Sequence, residues 1–238
     1  MNLALITARG GSKRIPRKNV REFCGEPIIG YSIRSAIESG CFDEVMVSTD
    51  DPEIAETGRR YGARVPFFRS PATAGDHATT ADVVHEVLQE YARRGTTFVL
   101  ACCLYPTAPF ITPAVLRQGR ALLEADPDLA GAIPVTRFSF PIERAVRVRA
   151  GRMTFVQPEH MLTRSQDLEP AYHDAGQFYW LRTRDFLATR RMVMDRTAAI
   201  VLPEWQVQDI DNEDDWVLAE LKYQVAQQRL SASAESGR

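Results

Sequence analysis

No stretch of this chain is long and apolar enough to span a bilayer, and no charged segment precedes its short N-terminal apolar run. Cysteine is scarce, and Cys24, Cys41, Cys102 and Cys103 have no metal-ligand spacing. Cys102 and Cys103 lie inside an apolar run and read as small buried hydrophobes, which suits a reducing compartment. A soluble, cytoplasmic protein without a membrane partner is the expectation. The histidines His77, His85, His160 and His173 do not assemble a ligand set, even with the adjacent His173-Asp174 pair. Gly-x-Ser-x-Gly is missing, which argues against a serine hydrolase. The Walker loop and the Gly-x-Gly-x-x-Gly dinucleotide fingerprint are missing too. Charge of one sign is not in excess: the net charge is −2, where a general nucleic-acid binder is more often basic. No nucleic-acid partner is expected. No internal repeat or low-complexity linker divides the chain. It reads as one domain over 1–229 with a small, polar, disordered tail over 230–238.

What is present begins at once. The apolar run Leu3-Ala4-Leu5-Ile6 leads into TARGGSKRIPRKN, where Gly10 and Gly11 sit among Arg9, Lys13, Arg14, Arg17, Lys18 and Arg21. No acid appears before Glu22. Paired glycines let a backbone approach a ligand and take turns that other residues resist. Successive free N–H groups form an anion-binding nest, and Arg and Lys add contacts to phosphate oxygens. A solvated basic turn is the alternative. Alone, the turn indicates a phosphate without saying which one.

Hydrophobic periodicity predicts alternating strands and helices. Strands are expected over 2–7, 44–49, 64–68, 97–104 and 129–135. Helices are expected over 27–39, 52–61, 80–94 and 112–124, the first with Ile29, Ile33, Ala36 and Ile37 on one face. This order predicts an α/β protein with a mainly parallel sheet and helices on both faces. Residues 136–175 break the pattern and read as an insertion of hairpin and loop, partly over the site and partly a dimer contact. Strand character returns over 177–181, 199–202 and 207–210. A last helix over 212–229 is expected to bury Val217, Leu218, Leu221 and Val225. Ligands in such sheets bind at the carboxyl ends of the strands, where the basic turn, Asp50 and Tyr105-Pro106-Thr107 should meet.

Three further stretches carry polar chemistry. In Asp209-Ile210-Asp211, strand alternation would place both carboxylates on one face, a donor pair suited to Mg²⁺. The alternative is that Asp211 begins the cap of the next helix. The loop RSPATAGDHATTAD over 69–82 could wrap a base and ribose or be an ordinary connection; the pattern alone favours the latter. The segment TRSQDLEPAYHDAGQ over 163–177 is dense in hydrogen-bonding groups, as recognition of a polyhydroxylated acid would require, with Arg164 on a carboxylate.

Taken in order, ARGGSKRIPRKN, VSTDDPEIAE, YPTAPF and QDIDNEDDW resemble the cytidylyltransferases of the CMP-sialic acid synthetase family. Within that family, CCLYPTAPF, TRFSFPIERA and TRSQDLEPAYHDAGQFYW resemble members that act on pseudaminic acid, and the resemblance covers roughly residues 2–225. It implies a Rossmann-like nucleotide-diphospho-sugar transferase fold with a small dimerisation element, and a homodimer. It also implies a reaction that joins CTP to a nine-carbon α-keto sugar acid with release of pyrophosphate. Carried over by position, Ala8, Arg9, Gly10, Gly11 and Ser12 match the triphosphate loop, and Lys18 and Asn19 approach phosphates and ribose. Arg69, Ala78, Thr79 and Thr80 match the cytosine and ribose contacts, and Asp209 and Asp211 the Mg²⁺ carboxylates. Arg9, Lys18 and Asp211 are the expected catalytic residues. Tyr105, Arg164, Gln166, Asp174 and Gln177 fall on the sugar side. Sialic acid synthetases typically carry Gln in the segment of Tyr105 and Asn-Gly near Ala175-Gly176-Gln177, so these departures favour another nonulosonate. A CMP-N-acetylneuraminate or CMP-legionaminate synthetase is the runner-up, and a non-catalytic CTP- or RNA-binding module is the rival from another class.

Overall fold

The computed structural model describes residues 1–236, and their side chains through residue 229. Six strands form the path of the main sheet: β1 (Asn2–Thr7), β2 (Glu44–Ser48), β3 (Leu100–Leu104), β4 (Gly131–Arg137), β8 (Phe178–Arg182) and β9 (Thr197–Leu202). Their spatial order is β9-β4-β8-β3-β1-β2. β1 runs parallel to both β2 and β3, and β9 runs parallel to β4. β8 enters between β3 and β4 antiparallel to each, so the sheet is mixed but mainly parallel. A seventh strand, β7 (Tyr172–Asp174), pairs antiparallel with the end of β4.

Buried on both faces, the central strands read as unbroken apolar runs. Alternation then separates two cores: Ala4, Ile6, Cys102 and Leu104 face one layer, Leu3, Leu5, Ala101 and Cys103 the other. Helices α1 (Ile28–Ser39), α2 (Pro52–Arg60) and α4 (Pro113–Ala125) cover the first face. Helices α3 (Thr80–Arg93) and α5 (Thr183–Thr189) cover the second. On α1, Ile29, Ile33 and Ala36 are buried as expected while Ile37 is exposed.

A third cluster joins the two ends of the chain. Ile15 from the basic loop packs with Phe23, Ile28, Tyr31, Phe110, Ile210 and Trp216. It ties the first loop to the start of α6 (Glu213–Ser236), although the two lie about 200 residues apart in sequence. The Phe23 ring meets Tyr31, Trp216 and Tyr223 edge-on at 5.6 Å between centroids. α6 therefore buries Trp216, Ala219 and Ala226, whereas the expected core face of Val217, Leu218, Leu221 and Val225 is exposed. Both stripes have helical spacing, and the one carrying the large indole packs against the aromatic cluster.

Two expected strands do not form. Residues 64–68 make a single bridge, Met46 to Arg64, because Pro66 has no N–H to extend a ladder. Residues 207–210 have no strand partner; instead the Val207 carbonyl accepts from Lys222 Nζ at 2.9 Å and the Ile210 carbonyl accepts from Lys18 Nζ. The insertion over 136–175 holds the hairpin β5 (Val146–Arg149) and β6 (Arg152–Phe155), closed by Ala150 and Gly151 at φ 48° and 73°. This is the positive-φ pair that a two-residue hairpin turn requires. The disordered tail expected over 230–238 is helical as far as Ser236, as a continuation of α6 rich in Ser and Ala; residues 237–238 lie outside the described residues. No described helix is long and apolar enough to cross a membrane.

Candidate active site

The basic loop is folded by acids that follow β2. Gly10 N–H donates to Asp50 Oδ1 at 2.9 Å, and Asn19 Nδ2 donates to the Arg9 carbonyl at 2.8 Å. Ile15, nearly fully buried, pins the middle of the loop to the third core cluster. Neither Gly10 nor Gly11 has a positive φ; Arg17 holds the loop's left-handed position, at φ 56°. The expected conformational need for glycine is replaced by a steric one at Gly10, where a Cβ would stand 2.8 Å from Asp51 Oδ2 and 3.0 Å from its Cβ. At Gly11 a Cβ would meet nothing.

The carboxyl ends of β1 and β3, with the segment between α2 and α3, open on one cleft of about 480 Å³. Its walls carry Arg9, Ser12, Lys13, Arg14, Lys18 and Asn19 from the first loop, and Arg69, Ala78, Thr79 and Thr80 from the segment between α2 and α3 and the head of α3. Tyr105, Pro106 and Thr107 close the floor, and Asp211 the far side. Of the residues assigned to the nucleotide and the metal, Ala8 is fully buried behind the wall, Gly10 and Gly11 do not line it, and Asp209 lies elsewhere. Arg17 and Arg21 also point away, paired with Asp51 and Glu53 and with Glu213. That leaves five cations against two carboxylates on the cleft wall, Asp76 being the second acid.

Each wall residue is held for a local reason. Arg69 is buried, and its guanidinium donates to the Ser48 carbonyl at 2.9 Å and to Ser48 Oγ at 3.2 Å. Burial lowers its pKa, opposed by the nearby charges of Asp50 and Glu86. Thr79 and Asp82 form a reciprocal capping box that fixes the first turn of α3. Glu86 on the same helix accepts from Ser70 N–H and Ser70 Oγ at 2.8 Å each, and from Thr73 Oγ1, which braces the turn after Arg69.

At the far side Lys18 lies in the field of two carboxylates. Burial lowers its pKa, and the charges of Asp211 and Asp209 oppose that shift. Ile210 is fully buried between them in sequence and orients the pair. Asp211 faces the cleft and accepts from Arg14 at 2.7 Å. Asp209 borders a neighbouring cavity of about 320 Å³. The face the two carboxylates were expected to share is thus split between two cavities, because residues 207–210 are not a strand. No three His, Cys, Asp or Glu side chains converge among the described residues, so there is no preformed all-protein cage. One or two carboxylates completed by phosphate oxygens is nonetheless how Mg²⁺ is commonly held, and this donor set fits it.

The sugar-side residues divide as well. Asp174 lines the second cavity together with Arg137, His173, Gly176 and Lys222, and accepts from Tyr179 Oη at 2.5 Å and Gly176 N–H at 2.8 Å. Gln177 is buried, donating to the Gln206 carbonyl at 2.6 Å while its own Oε1 has no partner among the described residues. Tyr105 lines the first cavity, and its ring lies 5.6 Å from that of Tyr179, whose hydroxyl reaches Asp174. Arg164 pairs with Asp167 at 2.9 Å, and both Arg164 and Gln166 are exposed on the insertion; neither lines the nucleotide cleft or the Asp174 cavity.

A cytidylyltransferase family profile matches residues 3–225. The chain belongs to the cytidylyltransferase family. The Campylobacter jejuni (serotype O:2) protein named pseudaminic acid cytidylyltransferase is 39% identical over 227 residues, covering 94% of this chain and 97% of that protein. The Legionella pneumophila CMP-N,N'-diacetyllegionaminic acid synthase is 31% identical, covering 96% and 98%. A solved CMP:2-keto-3-deoxy-manno-octonic acid synthetase, complexed with CTP, superposes with a TM-score of 0.68 over 95% of this chain and 99% of that one. At 19% identity the likeness shows the fold, which is the Rossmann-like nucleotidyltransferase fold.

Several residues of this cytidylyltransferase's cleft give no separate signal in sequence. Thr73 and Asp76 lie in a stretch that reads as an ordinary connection. Asp215 accepts from the Asp211 and Asn212 N–H groups at 2.9 and 3.1 Å, holding the acid-bearing turn. Asp215 borders the cleft rather than lining it. The three-residue spacing of Asn212 and Asp215, whose N–H groups and side chains pair reciprocally, is the helix-start cue that could have found it.

Proposed function

We propose that this cytidylyltransferase activates pseudaminic acid, converting it with CTP to CMP-pseudaminic acid and pyrophosphate. The observation that carries the reading is the cleft at the carboxyl ends of β1 and β3, which gathers the basic loop, Arg69, the head of α3 and Asp211 around one volume. The 39% identity to a relative of that name supports the choice of sugar. The Legionella relative makes a legionaminic acid the second candidate.

The reaction is an in-line displacement. The C2 hydroxyl oxygen of the sugar acid bonds to the α-phosphorus of CTP, loses its proton, and pyrophosphate leaves with the bridging oxygen. The protein's task is positioning and charge neutralisation. Arg9 and Lys18 offset charge on the α-phosphate and the leaving group. Arg69 and residues 78–80 hold base and ribose, and Tyr105, Asp174 and Gln177 form the sugar side. Asp211, the carboxylate that faces the cleft, would hold Mg²⁺ there, and the ion would supply charge neutralisation at the triphosphate oxygens when bound. A cytoplasmic homodimer completes the reading. Its dimer contact includes the insertion, where Phe140, Val148 and Leu162 are 82%, 68% and 87% exposed.

A panel of nonulosonic acids assayed with CTP and Mg²⁺ for pyrophosphate release tests the assignment. Turnover should be highest with pseudaminic acid, and release without any sugar acid should be negligible. Asp211→Ala should abolish metal-dependent turnover in a folded protein; near-normal activity would remove Asp211 as the metal ligand. Loss of a preorganised contact costs about 10²-fold in rate, so Lys18→Ala should depress turnover by about that factor. A change confined to the sugar KM would refute its role.

A further inference from the structure

The acid that faces the basic loop across the cleft is Asp76. Its carboxylate bridges two cations, accepting from Arg9 Nη1 at 2.7 Å through Oδ1 and from Lys13 Nζ through Oδ2. All three residues line the cleft. Asp76 makes no other side-chain hydrogen bond among the described residues, and it sits in the turn 75–78 just before the head of α3. The remaining loop cations on the wall have other partners, Arg14 in Asp211 and Lys18 in the Ile210 carbonyl. An anionic ligand that seeks Arg9 and Lys13 therefore meets a carboxylate already on both.

We propose that Asp76 competes with the β- and γ-phosphates for Arg9 and Lys13, and so sets how tightly the enzyme holds the pyrophosphate end of its substrate and product. The inference rests on the cleft being the CTP site. Its physical content is an exchange of counterions. A polyphosphate that enters displaces the carboxylate, and a departing pyrophosphate is replaced by it, so the two cations are never left without an anion. The contacts are exposed and modest in strength, which suits a group that must be displaced in every cycle. Asp76 is in this sense an affinity-setting residue for the leaving group, with no part in bond making.

The test is Asp76→Asn, with Asp76→Ser as a second variant should the first fail to fold. Pyrophosphate, CTP and CMP binding are measured by calorimetry, and pyrophosphate inhibition by turnover. Freeing two exposed cations should tighten pyrophosphate and CTP by about three- to ten-fold, from the usual strength of surface ion pairs. CMP has no β- or γ-phosphate and should change by less than about two-fold. Unchanged or weaker pyrophosphate binding in the variants overturns the proposal. Equal tightening of CMP also overturns it, since that would be a bulk charge effect. Arg9→Ala in an otherwise wild-type enzyme separates the two levels: if it leaves pyrophosphate binding intact, the cleft assignment itself fails.

Discussion

The two glycines of the first loop make a sharp test because they look alike in sequence and differ in structure. At Gly10 an added Cβ would stand 2.8 Å from Asp51 Oδ2, 3.0 Å from Asp51 Cβ and 3.3 Å from Cγ. Asp51 cannot simply swing aside. Its Oδ1 caps α2, accepting from Glu53 and Ile54 N–H at 2.8 and 3.1 Å, and its Oδ2 accepts from Arg17 at 2.9 Å. Gly10→Ala must therefore overpack the contact, at about 1–3 kcal/mol. Moving Asp51 out of its cap to relieve the overlap would lose about 1 kcal/mol instead. For a chain of this size, 1 kcal/mol shifts the melting temperature by about 2–4 °C, so a fall of roughly 2–12 °C is expected for Gly10→Ala.

Gly11→Ala meets nothing within 4 Å and needs no unusual φ. Losing a glycine also narrows the unfolded ensemble, which is worth about 0.4–1 kcal/mol in favour of folding. Its melting temperature should hold or rise slightly, and because Gly11 does not line the cleft its KM for CTP should be little changed. Differential scanning fluorimetry beside initial-rate kinetics reads both quantities. Equal melting temperatures for the two variants would refute the packing argument, and a large rise in the KM for CTP in Gly11→Ala would show that Gly11 meets the ligand after all.

Three other outcomes rest on the same geometry. Ile210→Ala empties a fully buried position in the third cluster and should cost about 2–5 kcal/mol by chemical denaturation, with a rise in the metal requirement because both flanking aspartates lose their anchor. Tyr179→Phe removes the phenol that donates to Asp174 at 2.5 Å, so the KM for the sugar acid should rise while that for CTP stays within about two-fold; a change in both would place Asp174 elsewhere in the reaction. Burial pushes the Asp51 carboxyl up, but the N–H groups of Ile54 and Glu53 and the Arg17 guanidinium outweigh it and leave its pKa below the ordinary value of 3.8. A depressed folded-state pKa favours folding above about pH 4 and loses that contribution as pH falls through the folded value. The stability gap between wild type and Asp51→Asn should therefore narrow in acid titrations below about pH 4, and a gap constant from about pH 6 to 3 would contradict the sign.

How much a sequence reveals depends on the range of each interaction. Alternating apolar runs and helix caps are local, so β1, α1, α2, α3 and β3 are legible to within a few residues. The segment 207–210 reads as a strand because a β-branched residue stands at each end, yet its partners are not strands; two lysine side chains, from the first loop and from α6, take carbonyls that a ladder would have used. The stripe on α6 misleads for a related reason. Two apolar series run along that helix, and which one faces inward is decided by Phe23 and Tyr31, nearly 200 residues earlier.

The site shows the same division, and it makes the acids harder to rank than the cations. Composition exposes the cations, because six of them crowd one loop, but each cation's direction is set by the carboxylate it meets. Asp51, Glu53 and Glu213 turn Arg17 and Arg21 away from the cleft, while Asp76 and Asp211 hold Arg9, Lys13 and Arg14 within it. An acid across a fold leaves no periodic trace in sequence, whereas a run of cations does. The basic loop can therefore be read as a phosphate cradle from its own residues, yet which of its charges serve the ligand is decided by acids about 30 to 200 positions away. The reactive arrangement is accordingly a property of the charge pairs, and substitutions of Asp51, Asp76 or Glu213 should re-aim the cradle without altering any of its own residues.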